Sequence, residues 1–140
     1  MDKHEYSFGT HKTRVIIQDS LPRLDELSAA GEKSSAVLVV CDTNTESLAK
    51  KIMGNCQQAL CVLPAGESYK NWQSIETILS AACKAGLSRG SLMIGIGGGV
   101  ITDMTAFAAS LYMRGCNVAL VSTTLLGMAD AVLGGKSGID

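Results

Sequence analysis

The sequence predicts a doubly wound α/β fold with a mostly parallel sheet and an N-terminal β-hairpin. Three observations carry that expectation. Four short runs, at 36–41, 59–63, 92–96 and 118–121, are apolar on consecutive residues, as strands buried on both faces require. Helical patterns separate them, and a glycine cluster joins the third run to the most apolar helix. Strands alternating with helices build βαβ units with right-handed crossovers.

In chain order, Tyr6 and Phe8 alternate with polar residues, residues 9–12 read as a turn, and Thr13, Val15 and Ile17 alternate again. This is a hairpin pattern. The strands at 36–41 and 59–63 come next. Between 70 and 87, Trp72, Ile75, Leu79, Ala82 and Cys83 recur at three- and four-residue steps before Gly86 and Gly90, which predicts an amphipathic surface helix. The stretch 102–113 leaves almost no polar face and is expected to form a central, buried helix. Its predicted end is Arg114-Gly115, a cation near the negative helix terminus and then a residue free to turn left-handed.

A chain of 140 residues suits one domain, 1–140, and buries roughly 68–70% of its unfolded surface. With 46% hydrophobic and 18% charged residues it is not a disordered segment. The net charge of −1, without a basic stripe, argues against nucleic acid as a partner. No apolar leader opens the chain and no run approaches the roughly 18 apolar residues of a membrane helix, so no membrane association and a cytoplasmic location are expected. The five cysteines form no CxxC, and both histidines, His4 and His11, fall in the first dozen residues. Reduced thiols are expected, not a disulfide or zinc framework.

The residues with chemical potential lie at strand ends, where ligands bind in open α/β sheets. Gly95-Ile96-Gly97-Gly98-Gly99-Val100-Ile101-Thr102-Asp103 leaves a buried strand and opens the buried helix. Consecutive glycines let backbone N–H groups approach a diphosphate at the positive end of a helix. A tight turn without ligand reads the same residues, and Val100 stands where the usual dinucleotide fingerprint has its last glycine. Asp42-Thr43-Asn44 places a carboxylate and an amide at the sheet edge, or else caps a helix beginning near Thr45 or Glu46. In the segment 64–70, Glu67 suits ribose hydroxyls and Lys70 supplies charge; a solvated loop would serve equally well. After the last strand, Ser122, Thr123, Thr124, Leu126, Asp130 and Lys136 bring hydroxyls, a carboxylate and a glycine-flanked lysine together. Lys136 suits a phosphate and Asp130 a sugar hydroxyl, against a polar loop around a capped helix.

The ordered segments PAGESYK, GGGVITDMTAF, YMRG, STTLLGMAD and GGKSGID resemble the 3-dehydroquinate synthase family. Its N-terminal domain carries PxGExxK, GGGVxGDxxGF, YxRG, PTTLLAxVD and GGKxxxD in that order. The resemblance implies a Rossmann-like domain with Asp42, Asn44, Glu67, Lys70, Gly98, Gly99, Val100, Asp103, Thr123, Thr124 and Leu126 lining an NAD site. It further implies that Asp130 and Lys136 reach a sugar-phosphate substrate, and that Arg114 binds the substrate phosphate across a homodimer interface. The implied activity is a phosphate-eliminating lyase that closes a ring, with NAD regenerated each turnover. The family's divalent metal, zinc or cobalt, is held by a glutamate and two histidines of a helical C-terminal domain not matched by these 140 residues. The chain is therefore expected to be the NAD-binding half and inactive alone. Another sugar-phosphate cyclase, such as a 2-deoxy-scyllo-inosose synthase, or a non-catalytic nucleotide-binding fragment, is the alternative. Three positions depart from the pattern: Thr102 and Ala106 replace glycines, and Ser122 replaces proline.

Overall fold

The computed structural model describes residues 1–28, 36–131 and 138–139. Two strands, β1 (Asp2–Phe8) and β2 (His11–Ile17), pair antiparallel from Asp2 opposite Ile17 to Phe8 opposite His11. Gly9, at φ 61°, takes the left-handed position in the turn, which other residues adopt only at a cost. The alternation marks both strands, but the turn is shorter than the 9–12 expected, since His11 and Lys12 belong to β2, and Tyr6, Phe8 and Ile17 are exposed.

After the short helix α1 (Leu24–Ser28) come β3 (Val37–Asp42), α2 (Glu46–Met53), β4 (Ala59–Leu63) and α3 (Trp72–Lys84). The chain continues with β5 (Leu92–Gly97), α4 (Gly99–Leu111) and β6 (Asn117–Ser122). A single 3-10 turn at Glu67–Tyr69 precedes α3, another at Tyr112–Arg114 succeeds α4, and a π-helical turn spans Gly127–Ala131. The second sheet has the order β4-β3-β5-β6, with all three pairings parallel.

The two central strands, β3 and β5, are buried on both faces, which is why their sequences run apolar without alternating; the edge strands differ from the expectation, β4 being partly buried and β6 half-buried with Asn117 and Val118 exposed. Leu38 and Val40 of β3 and Met93 of β5 face one core, built against Ile75, Ile78 and Ala82 of α3 and Ile101, Met104 and Ala108 of α4. Val37, Val39 and Cys41 face the other, with Ile94 and Ile96 of β5, Ala49, Ile52 and Met53 of α2, and Leu24 of α1. Helices thus cover both faces, as a doubly wound fold demands. Trp72 and Phe107 meet edge to face, centroids 6.3 Å apart, where α3 packs on α4. Among the described residues no helix is long and apolar enough to cross a membrane.

The central helix lies against the sheet as expected. Thr102 and Thr105 are buried with its apolar residues. A Cβ on Gly95 would fall 2.7 Å from Thr105 Oγ1, so the glycine inside β5 permits the close approach of strand and helix.

Helix boundaries correct the sequence reading. Asn71 accepts a hydrogen bond from Ser74 N and starts α3 at Trp72, leaving Lys70 outside the helix. The glycine loop itself supplies the first turn of α4, which therefore begins at Gly99, before residue 102. At the other end α4 stops at Leu111, short of Met113. The positive φ expected of a glycine stop begins earlier, at Met113 (52°) and Arg114 (65°), while Gly115 has φ 110° and ψ 125°, which is not a left-handed helical conformation. This reversal lets Gly115 N donate to Tyr112 O at 2.8 Å and Cys116 N to Ala109 O at 2.9 Å, satisfying carbonyls that a helix end leaves bare.

Candidate functional site

Because the sheet is parallel, the C-terminal ends of all four strands share one edge. The order β4-β3-β5-β6 means that the chain leaves β3 toward β4 on one side and then returns to add β5 on the other. The crevice between the ends of β3 and β5 is the switch point where such folds bind ligands.

Gly97 ends β5, Gly98 adopts an extended conformation (φ −78°, ψ −170°), and Gly99 begins α4. The amides of the first helical turn have no partner within their own helix and present partial positive charge. Thr102 donates its hydroxyl to Gly98 O or Gly99 O, each 3.2 Å away, so this departure from the family pattern reinforces the loop from inside. The turn after β6 closes on the loop: Thr123 N donates to Gly97 O at 2.9 Å, and a Cβ on Gly98 would sit 3.1 Å from Thr124 Cγ2.

Beside the loop lies a cavity of about 340 Å³ lined by Glu67, Lys70, Gly99, Val100, Asp103, Leu126 and Gly127. Three separated segments predicted from sequence thus meet in one place. Lys70 Nζ and Asp103 Oδ2 form an ion pair at 3.0 Å, with side chains 16% and 18% exposed. Asp103 Oδ1 is buried, and among the described residues no hydrogen bond reaches it. A buried carboxylate oxygen normally has a partner, so this one stands out beside the cavity that Asp103 lines. Gly127 is a lining residue that the sequence reading does not single out. Its Cβ would come 2.9 Å from Thr124 Oγ1 and into overlap with Ser122 Oγ, so glycine here lets the turn fold tightly over the loop. Ser122, in place of proline, donates to Thr124 O at 3.2 Å. Ala106, the third departure, is half-buried on α4.

On the far side of the loop, Asp42 ends β3. Its Oδ1 accepts from Asn44 N, Thr45 N and Thr45 Oγ1 at 2.9–3.0 Å, so one carboxylate oxygen holds the turn before α2, while Thr45 takes the N-cap position and no side chain caps the helix. Among the described residues no hydrogen bond reaches the other carboxylate oxygen. Asn44 is exposed beside it. Arg114 is exposed at the opposite end of α4 from the loop, about 20 Å away at the rise of an α-helix. The structure does not bring it to the cavity of this chain. Lys136 and the side chain of Asp130 lie outside the described residues; the Asp130 backbone belongs to the turn at Gly127–Ala131. Among the described residues no group of three His, Cys, Asp or Glu side chains could hold a metal ion.

Cys41, next to Asp42, is fully buried. Burial, then the carboxylates of Glu46 and Asp42, push its thiol from 9.0 up to about 11. The folded state therefore keeps a proton that the unfolded chain releases above about pH 9, and stability is expected to fall as pH rises from about 9 to about 11. Urea midpoints measured across that interval on wild type and Cys41→Ala would check this: the variant should show a shallower decline.

A parallel, doubly wound sheet with a glycine loop opening a buried helix, flanked by carboxylates at its switch point, defines a domain of the Rossmann-like α/β class. Within that class, the chain belongs to the 3-dehydroquinate synthase family: the family profile described as 3-dehydroquinate synthase N-terminal matches residues 60–140. A 3-dehydroquinate synthase of Prochlorococcus marinus strain NATL2A is 57% identical, over 90% of this chain and 36% of its own length. One from Helicobacter pylori strain G27 is 52% identical over 58% of this chain and 24% of its own. The chain thus spans about a third or less of these curated relatives. Among solved structures, a 2-epi-5-epi-valiolone synthase from Streptomyces hygroscopicus with NAD+ and Zn2+ bound is 32% identical, at a TM-score of 0.69 over 90% of this chain and 39% of that one. A 2-deoxy-scyllo-inosose synthase shares the fold at a TM-score of 0.80 and 18% identity, over 99% of this chain and 41% of that one.

Proposed function

We propose that this chain is the NAD-binding half of a 3-dehydroquinate synthase. Such a lyase converts 3-deoxy-D-arabino-heptulosonate 7-phosphate to 3-dehydroquinate and phosphate in the shikimate pathway of aromatic amino acid biosynthesis, in the cytoplasm. The observation that carries the reading is a cavity walled by Glu67 and Lys70, Gly99, Val100 and Asp103, and Leu126 together. These come from three separate motifs and meet beside a glycine loop whose first-turn amides have no partner within their own helix.

NAD fits these residues. Gly98, Gly99 and Val100 would admit its diphosphate to the backbone, with Thr123 and Thr124 closing from the β6 side. Asp42 and Asn44 would take sugar hydroxyls at one end, and Glu67, Lys70 and Asp103 at the other, where Asp103 Oδ1, without a hydrogen bond among the described residues, would accept one from a hydroxyl. Bound there, NAD supplies a reversible hydride acceptor that makes a substrate alcohol a ketone and acidifies the neighbouring C–H. Asp130 and Lys136 are proposed to orient the substrate, and Arg114 of a second copy in a homodimer to bind its phosphate, consistent with its distance from the cavity of its own chain. A divalent metal does not fit the described residues, and the proposal assigns it to the part of the relatives that this chain does not span.

A second reading, another sugar-phosphate cyclase, draws on the valiolone synthase likeness. The higher identity to 3-dehydroquinate synthases favours the first. Calorimetric titration of NAD into the purified 140-residue chain tests the shared core of both. A saturable one-site isotherm is expected, and its absence would overturn the nucleotide reading.

A further inference from the structure

The β3–β5 ladder runs from Val37 opposite Leu92 to Val40 opposite Gly95 and stops there. Beyond it the two strands part. Cys41 and Asp42 continue to pair with Val62 and Leu63 of β4, whereas Ile96 and Gly97 pair with Val121 and Ser122 of β6. The crevice that opens has Asp42 on one lip and the glycine loop on the other. Among the described residues the Thr45 side chain spans it: Thr45 Oγ1 lies 2.9 Å from Ile96 O, the carbonyl two residues before Gly98, and 3.0 Å from Asp42 Oδ1. The same oxygen accepts from Asp42 N at 3.2 Å. With a single proton, the hydroxyl is shared between a carboxylate on one lip and a backbone carbonyl on the other. In the sequence Thr45 is readable only as the start of a helix.

We propose that Thr45 is a positioning residue for the nucleotide, fixing the separation of Asp42 from the glycine loop. This rests on the NAD reading above. A ligand that touches both lips binds best where their spacing is set in advance, because it does not then have to order them. Ordinary helix capping would need no contact with Ile96, and α2 starts without a side-chain cap hydrogen bond from Thr45. The hydroxyl is therefore used between strands.

The test compares Thr45→Val, which keeps the shape and loses the hydroxyl, with Thr45→Ser, which keeps the hydroxyl. For Thr45→Val, NAD affinity should fall about tenfold, the scale of one hydrogen bond made with a charged acceptor, while Thr45→Ser stays within about twofold of wild type. In the ligand-free chain, amide hydrogen exchange should rise for Thr45→Val at residues 96–101 and 42–45 and remain unchanged at α3. Unchanged NAD affinity in Thr45→Val, a serine variant as weak as the valine one, or exchange raised evenly across the sheet would overturn the proposal. If wild type binds no NAD, the nucleotide reading fails by itself, and the exchange pattern still decides whether Thr45 ties the two strand ends.

Discussion

Replacing Gly98 with valine is expected to weaken NAD binding by about a hundredfold, equivalent to about 2.8 kcal/mol, while the chain stays folded. The backbone at Gly98 is extended, at φ −78° and ψ −170°, a conformation that valine adopts without strain. The position carries no side-chain cap whose loss could melt α4. What changes is the space between the glycine loop and the turn after β6. A Cβ there already lies 3.1 Å from Thr124 Cγ2, tighter than most contacts of its kind. Two further methyl groups would push Thr124 away and stand between a diphosphate and the amides of the first helical turn, whose value depends on close approach. Gly98→Ala should cost less, about tenfold, because Thr124 can yield by a few tenths of an ångström. Calorimetry gives the affinities, and circular dichroism melting shows whether the fold survives. Equal NAD affinity in wild type and Gly98→Val would reduce the glycine loop to a tight turn.

Much of this site is legible in the sequence because its parts come directly after buried strands. An uninterrupted run such as Val37 to Cys41 can be buried only on both faces. The residues after such a run must emerge at a sheet edge, and parallel pairing puts those edges together. The segments around Asp42, Glu67, Gly98 and Thr123 can therefore be assigned to one side before any coordinates. Three kinds of feature are not legible. Contacts between segments, such as Thr45 with Ile96, depend on where the β3–β5 ladder stops, which no local pattern states. Gly127 shows in the sequence as a glycine, but its need arises from Ser122 and Thr124 crowding the same space. The end of α4 misleads because glycine is the usual left-handed residue, whereas here Met113 and Arg114 take positive φ ahead of Gly115. The hairpin shows the converse: alternation in Tyr6, Phe8, Val15 and Ile17 marks the two strands correctly yet overstates their burial, and the turn read at 9–12 shortens to Gly9 and Thr10 because His11 and Lys12 pair with Phe8 and Ser7.

The 140-residue chain supplied with NAD, zinc and sugar-phosphate substrate is expected to release no phosphate, whereas a chain extended to the length of its relatives should do so steadily. Oxidising an alcohol builds negative charge on its oxygen, and catalytic zinc meets such charge from a site of typically three protein ligands and one open position. No trio of His, Cys, Asp or Glu among the described residues can form that site. The two histidines, His4 and His11, sit on the β1–β2 hairpin, exposed and outside both cores. Orientation presents the same difficulty. On the proposed reading the glycine loop and its cavity hold the nucleotide, but a substrate held by only one side of a cleft keeps much of the rotational freedom that a closed site removes, and that freedom alone can cost several orders of magnitude in rate. NAD binding and turnover should therefore separate: the short chain gives a saturable isotherm and a flat phosphate assay, and extension restores the second without being needed for the first. Steady, zinc-dependent phosphate release from the purified 140-residue chain would refute this and would require a metal site involving residues such as Asp130 or Asp140, whose side chains lie outside the described set.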